Sequence, residues 1–200
     1  MATDTFAISE SRTRVLDAAE KLFMERGYAS VTMRDIADAL GMKQAALYYH
    51  APNGKEQLYR EVVNRHMSHQ RQGLEKAISD ASPTLEAQLS AITDWLVDQA
   101  PVDLMRMVRS DAVQISETYA QELIQQVDYA MMQPITNIIR AAQERGEVRR
   151  IVPEMVAGML LALTNWAVYF DSTNRFSVSS KVMMRQVIEL MLNGIIERNV

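Results

Sequence analysis

Lys43, Gln44, Tyr48, Tyr49 and His50 lie close together in the stretch TMRDIADALGMKQAALYYHAPNGKEQL, residues 32–58. Each has a use against a DNA duplex. A glutamine amide pairs with an adenine edge, lysine ammonium and tyrosine hydroxyl groups reach phosphates, and aromatic rings contact thymine methyls. To act as one set, these side chains must leave one face of a rigid element that fits the wide groove.

The surrounding residues supply that element. Thr32 precedes Met33-Arg34-Asp35, which places an N-cap at Thr32 and an acidic capping-box partner at Asp35. Ile36, Ala37, Ala39 and Leu40 form an apolar face, Gly41 ends the turn, and Gln44–Tyr49 forms the next helix with Leu47 facing inward. Ala37, Gly41 four residues later and Leu47 six further on match a helix-turn-helix, in which a small residue at the crossing lets the second helix project. Thr32 and Lys55 stand where the second and fourth helices begin, and backbone N–H groups there suit phosphate. A plain helical hairpin with exposed aromatics shares much of this pattern.

An earlier helix over Arg12–Arg26 carries Val15, Ala18, Ala19, Leu22 and Phe23 at helical spacing and stops at Gly27. After the APNG break, a long helix runs from Lys55 to about Ser79. Thr84–Gln99 reads as a helix, Pro101 separates it from a short segment over Val102–Ala112, and Ser116–Arg145 reads as a long helix that Pro134 should kink or break. Gly146 ends it, Pro153–Phe170 is the most apolar helix, and Ser177–Glu197 is the last. The sequence shows no persuasive strand, repeat or flexible linker, so the fold class is all-α.

The chain has 200 residues and a net charge of −4, too acidic to bind nucleic acid over its whole surface. Residues 1–60 hold eight Lys/Arg and eight Asp/Glu, so the excess negative charge lies in the remainder, with thirteen and seventeen. A neutral segment on an acidic body can still present one basic face. Cysteine is absent, which excludes disulfides and thiolate metal sites and fits a cytoplasmic protein. The N-terminal composition suggests no signal peptide. Met155–Phe170 falls short of the ~20 apolar residues of a membrane span and reads as a helix buried in a core or subunit interface.

RVLDAAEKLFMERGYASVTMRDIADALGMKQAALYYH, followed by KEQLYREVV, resembles the N-terminal domain of the TetR/AcrR family of transcriptional regulators. The resemblance covers residues 12–64 and is dense at Gly27-Tyr28, Thr32, Arg34, Ile36-Ala37, Gly41, Leu47 to His50 and Lys55-Glu56. It implies a three-helix N-terminal DNA-binding unit with a helix-turn-helix, residues 1–53 with the start of helix four to about 64. It also implies a six-helix C-terminal body, residues 54–200, for dimerisation and ligand binding. Thr32, Arg34, Lys43, Gln44, Ala45, Ala46, Tyr48, Tyr49, His50 and Lys55 are then the expected DNA contacts, with Tyr49 equally open to a core role. Ala51-Pro52-Asn53-Gly54 departs from the family pattern, which has a bulky residue after the histidine and a step one residue shorter.

The resemblance further implies a homodimer through Pro153–Phe170 and Ser177–Glu197, a palindromic operator and a small-molecule effector. Ala157, Gly158 and Ala162 would allow close helix approach, with Leu161, Val187, Leu190, Met191 and Ile195 as packing residues. Fourteen methionines suit an adaptable apolar site. Trp95, Met105, Met132, Trp166 and Tyr169 are the expected lining of a pocket for a hydrophobic or aromatic molecule, with Arg109, Gln114 and Asn165 orienting it. No cofactor is expected. His66 and His69 are three apart but lack further ligands, so no metal is expected. No Ser-His-Asp order or phosphate loop points to an enzyme, and the resemblance implies a ligand-responsive repressor; the alternative is a helical protein-binding scaffold without DNA function.

Overall fold

The computed structural model describes residues 10–99, 103–173 and 177–195, without the side chains of Ser172, Gly194 and Ile195. Pro101, the end of the last helix at 196–197 and the packing role expected of Ile195 lie outside the described residues. The helices are α1 (Glu10–Ser30), α2 (Met33–Ala39), α3 (Gln44–His50), α4 (Gly54–Asp80), α5 (Leu85–Val97), α6 (Leu104–Arg106), α7 (Ala112–Ile115), α8 (Glu117–Val127), α9 (Gln133–Glu144), α10 (Pro153–Ser172) and α11 (Ser180–Ile195). A π turn over Met107–Asp111 joins α6 to α7, and another over Asp128–Met132 joins α8 to α9. No β-strand forms among the described residues. Taking each π-joined pair as one rod, the described chain makes three helices followed by six, the all-α architecture the sequence implied.

Two sequence expectations are refined. Pro134 neither breaks nor ends its rod. A proline lacks the N–H its carbonyl partner one turn back requires and crowds that carbonyl; here it occupies the first turn of α9, and the wider π turn before it absorbs the mismatch. Gly27 does interrupt α1, but the chain resumes helical geometry as far as Ser30. Gly27 itself has φ +79°, which a side chain rarely adopts.

The chain forms two compact units. One comprises residues 1–66 and 103–124, the other 67–102 and 125–200. In the first, Val15, Ala19 and Phe23 of α1, Ile36 of α2, Leu47 of α3, Leu58, Tyr59 and Val62 of α4, and Tyr119 and Leu123 of α8 are buried. Across α1 and α4, Arg12 pairs with Glu61, and Arg65 with Asp17 at 2.8 Å and with Glu20. His66, on the same helix, sits 3.2 Å from Glu20, whose carboxyl is held below its ordinary range by His66 and then Arg65.

In the second unit, α5 packs on α9, α10 and α11, and α10 also packs on α9 and α11. Leu89, Ile92, Ile135, Ile139, Leu160 and Ile188 fill its interior. Trp95 lies flat against α4 at Gly73, where an added Cβ would stand 1.9 Å from the indole Cζ2. Alanine normally stabilises a helix interior relative to glycine by about 0.5–1 kcal/mol. Gly73→Ala should nonetheless destabilise the protein by about 1–3 kcal/mol, because the indole must leave its site. Adding Trp95→Leu should recover most of that loss. Urea midpoints of the single and double variants check both statements.

Candidate DNA-binding interface

The helix-turn-helix is built from its caps inward. The Asp35 N–H donates to Thr32 Oγ1 at 3.1 Å, and the Thr32 N–H and hydroxyl donate to Asp35 Oδ2 at 2.7 and 2.6 Å. This complete capping box fixes where α2 starts. It also holds the Asp35 carboxyl below its ordinary range, through the Thr32 hydroxyl first and the Thr32 N–H second. The cap's contribution is therefore present above the unfolded pKa and lost as pH falls through the lower folded value. At the other end of α2, Gly41 takes φ +64°, its N–H donates to Asp38 O at 3.1 Å, and the Met42 N–H donates to Ala37 O at 3.0 Å. That pair of bonds is a Schellman closure, and it turns the chain directly into α3.

Leu47 is the anchor of α3, fully buried. Lys43, Gln44, Ala45, Ala46, Tyr48 and Tyr49 are all exposed around it. Tyr49 is 85% exposed, which answers the choice between contact and core in favour of the surface. His50 is half-buried, with Nε2 3.2 Å from Ser11 Oγ and its ring edge-on to Tyr49 at 5.5 Å. Thr32 and Arg34 are exposed on α2, Arg34 with Nε 3.8 Å from Asp38.

The departure at residues 51–54 makes a defined re-entry. Ala51 is fully buried where a bulkier residue was the family expectation. Its N–H donates to Leu47 O, the Gly54 N–H donates to Ala51 O at 2.9 Å, and the Asn53 N–H donates to Gln57 Oε1 at 3.0 Å. Gly54 has φ +75°, and the Tyr48 ring passes 3.8 Å from where its Cβ would be.

Lys55 is half-buried. Its ammonium donates to Tyr28 O at 2.9 Å and lies 4.0 Å from the Tyr28 ring centroid, and burial lowers its pKa. Tyr28 belongs to an aromatic cluster with Phe23 and Tyr59, and Tyr59 also meets Tyr119. Arg60 lies over the Tyr119 ring at 3.8 Å. Burial pushes the Tyr59 phenol far above its ordinary range and the Tyr119 phenol up to about 12. Both folded pKa values exceed the unfolded one near 10, so this contribution to stability is full below pH 10 and disappears as pH rises through the folded values. In an absorbance titration of the native protein to pH 11, at least two of the seven tyrosines should stay un-ionised. Seven phenolates with a common midpoint near 10 would contradict the burial.

The residues expected to line a ligand pocket are divided between the two units. Met105, Arg109 and Gln114 are exposed in the first unit, Gln114 with its amide donating to Ser110 Oγ at 3.4 Å. In the second unit, Trp95 is half-buried 5.8 Å from the His69 ring, and Met132 is half-buried with its Cε near Gly158. Asn165, Trp166 and Tyr169 are exposed on α10.

That helix shows something the sequence reading missed. Met155, Met159, Ala162, Trp166 and Tyr169 recur at steps of four and three and are all exposed, while Ala157, Leu160, Thr164 and Ala167 form the buried stripe. A spacing of 3.5 is the seam of a helix that packs on a parallel or antiparallel partner. Of the small residues expected at a helix approach, Ala157 is spent inside its own unit, whereas Ala162 lies on the outer stripe. Leu161 of α10 is half-buried; on α11, Leu190 is 74% exposed, and Val187 and Met191 are half-buried. The signal was present as the four-three spacing, but α10 is apolar on several faces and the sequence does not say which is outward. No helix among the described residues is long and apolar enough to cross a membrane.

The family model described as "Bacterial regulatory proteins, tetR family" matches residues 15–62, from inside α1 to the first turns of α4. The HTH-type transcriptional repressor KstR2 of Rhodococcus jostii (strain RHA1) is 26% identical over 208 residues, spanning 97% of this chain and 95% of that protein. A putative transcriptional regulator from Saccharomonospora viridis, solved with choline, superposes with a TM-score of 0.72 at 23% identity over 94% of this chain and 99% of that one. AibR, solved with isovaleryl coenzyme A and operator DNA, superposes with a TM-score of 0.73 at 18% identity over 90% and 97%. The matched segment is the capped helix-turn-helix with the helices on either side of it: residues 15–62 match the DNA-binding region of the tetR family of bacterial regulatory proteins, and the likeness in fold to the other proteins runs the length of the chain.

Proposed function

We propose that the chain is a homodimeric, cytoplasmic transcriptional repressor that a small molecule releases from its operator. The observation that carries this reading is α3: an anchored, capped helix whose exposed face holds Lys43, Gln44, Ala45, Ala46, Tyr48 and Tyr49. Residues 1–53, with the start of α4, supply DNA binding. Residues 54–200 supply dimerisation and the effector site. Gln44 reads a base edge, and Ala45 and Ala46 let the helix approach the groove closely. Thr32, Arg34, Lys43 and Tyr48 meet the backbone, and Tyr49 and His50 complete the contact surface.

The outer stripe of α10, with α11 beside it, supports dimerisation through Pro153–Phe170 and 177–197. Two-fold symmetry then demands a palindromic site with half-sites roughly 34–36 Å apart or a multiple of that spacing. The effector is a hydrophobic or aromatic small molecule. KstR2 of R. jostii is a repressor by name, and AibR and the S. viridis regulator were solved with isovaleryl coenzyme A and choline respectively, so related folds hold ligands of varied chemistry. A coupling of about 1–3 kcal/mol between ligand and DNA sites lowers operator affinity some 5- to 150-fold.

Selection of duplexes from a random-sequence pool tests the reading. Enrichment of a palindrome is expected, and Tyr48→Ala should lower affinity for it about tenfold while leaving the dimer intact. A pool that yields no preferred sequence, with binding equally weak for every duplex, would leave the scaffold interpretation standing.

A further inference from the structure

Asp111 is the most buried carboxylate among the described residues of the first unit, 2% exposed, and the DNA contacts do not use it. It accepts the Tyr28 N–H, and Tyr59 Oη lies 3.4 Å from its Oδ2. Arg106 Nε stands 3.7 Å from the same oxygen. The Arg106 guanidinium in turn donates to Phe23 O at 3.2 Å and to Met24 O at 2.7 Å. The Tyr28 N–H would be the helical donor to Met24 O, and past the Gly27 break it goes to Asp111 instead. Gly27 is also where the carboxylate comes closest, 3.1 Å from a built Cβ. Tyr28 O is the Lys55 acceptor. Both backbone polar groups of Tyr28 and the carbonyls ahead of it are thus held by side chains from other elements. Thr32, which starts α2, follows four residues later.

A buried carboxylate costs several kcal/mol to desolvate, so Asp111 with the half-buried Arg106 beside it is a poor device for stability alone. Here they terminate one helix and fix the corner that aims the next two. We infer that the Arg106–Asp111 pair is a clamp on the α1–α2 corner, and that Arg106, Asp111 and Lys55 are positioning residues for operator binding rather than DNA contacts. The inference rests on the DNA-binding reading. The clamp spans the π turn Met107–Asp111, whose extra residue per turn sets the register between Arg106 and Asp111. Straightening that turn would shift Asp111 around the rod and free the Tyr28 N–H, so the same pair gives the segment Leu104–Ile115 a hold on α2 and α3.

The test uses the full chain, the selected duplex and two readouts. Asp111→Ala and Arg106→Gln should each weaken operator binding about 5- to 100-fold. The slope of log affinity against log salt should stay at the wild-type value, since no phosphate contact is lost. Asp111→Asn, which keeps an acceptor for the Tyr28 N–H, should restore most of the affinity. Lys55→Gln should behave like Arg106→Gln; a slope shallower by about one phosphate contact would make Lys55 a DNA ligand and overturn its part. Hydrogen exchange is the second readout: the amides of Tyr28 and Val31 should exchange faster in Asp111→Ala, with those of α10 and α11 unchanged. Affinity within twofold of wild type in both Asp111→Ala and Arg106→Gln removes the clamp, as does unchanged exchange at Tyr28. If the wild-type chain prefers no duplex at all, the DNA reading fails separately and exchange alone decides the clamp.

Discussion

Met159→Asp combined with Leu190→Asp should give a chain that is folded, monomeric and nearly blind to its operator. Both side chains are exposed in the single chain, Met159 by 46% and Leu190 by 74%, so the substitutions cost little within one subunit and the melting temperature at high protein concentration should fall only by what the lost dimer contributed. Across a dimer interface each aspartate instead faces apolar surface, and burying an unpaired charge costs several kcal/mol. The dimer constant should rise by two orders of magnitude or more. Operator binding then loses the effective concentration that ties the second half-site to the first, a factor of about 10²–10⁴. Sedimentation velocity reads the assembly and fluorescence anisotropy reads the DNA. A double variant that stays dimeric moves the interface away from the α10 stripe.

Ala45→Asp on α3 should have an effect of similar size by a different route. Ala45 is exposed, and aspartate in the first turn of a helix interacts favourably with the helix dipole, so the fold should tolerate it. Against DNA the new carboxylate meets the phosphate backbone and the acceptor-rich edges of the groove. Like-charge juxtaposition across an interface costs several kcal/mol, so specific binding should drop at least a hundredfold. The dimer should be unaffected. Ala45→Asp should thus remove DNA binding from an intact dimer, whereas the α10/α11 double variant should remove it through loss of the dimer.

The features that aim α3 were open to sequence reading because they are local. Thr32 and Asp35 are three residues apart, Gly41 needs a left-handed conformation that few other residues accept, and Leu47 is a lone apolar anchor among exposed neighbours. The same holds for Pro153 opening α10 and for a helix starting at Thr84, which the structure shows to be the cap of α5. What stayed hidden depends on distance along the chain or on choice of face. Arg106 meets carbonyls 82 and 83 residues away, and nothing near it signals them. The π turns leave no local mark, so Pro134 read as a break. Trp95 was expected in a pocket, yet the contact that defines it is with the bare backbone of Gly73. Along α10 nearly every face is apolar, so only the fold decides that Leu160 and Thr164 turn inward while Met159 and Trp166 turn out.

The proposed function requires that α3 enter the wide groove of DNA as one of two symmetry-related copies. Affinity for the selected palindrome, measured from 50 to 300 mM salt for the native chain and for Ala45→Asp, tests it most directly. A steep decline in log affinity with log salt for the native chain, together with loss of the palindrome's advantage over random duplex in Ala45→Asp, is the predicted result. Affinity that ignores salt, or an Ala45→Asp chain that still prefers the palindrome undiminished, would contradict it.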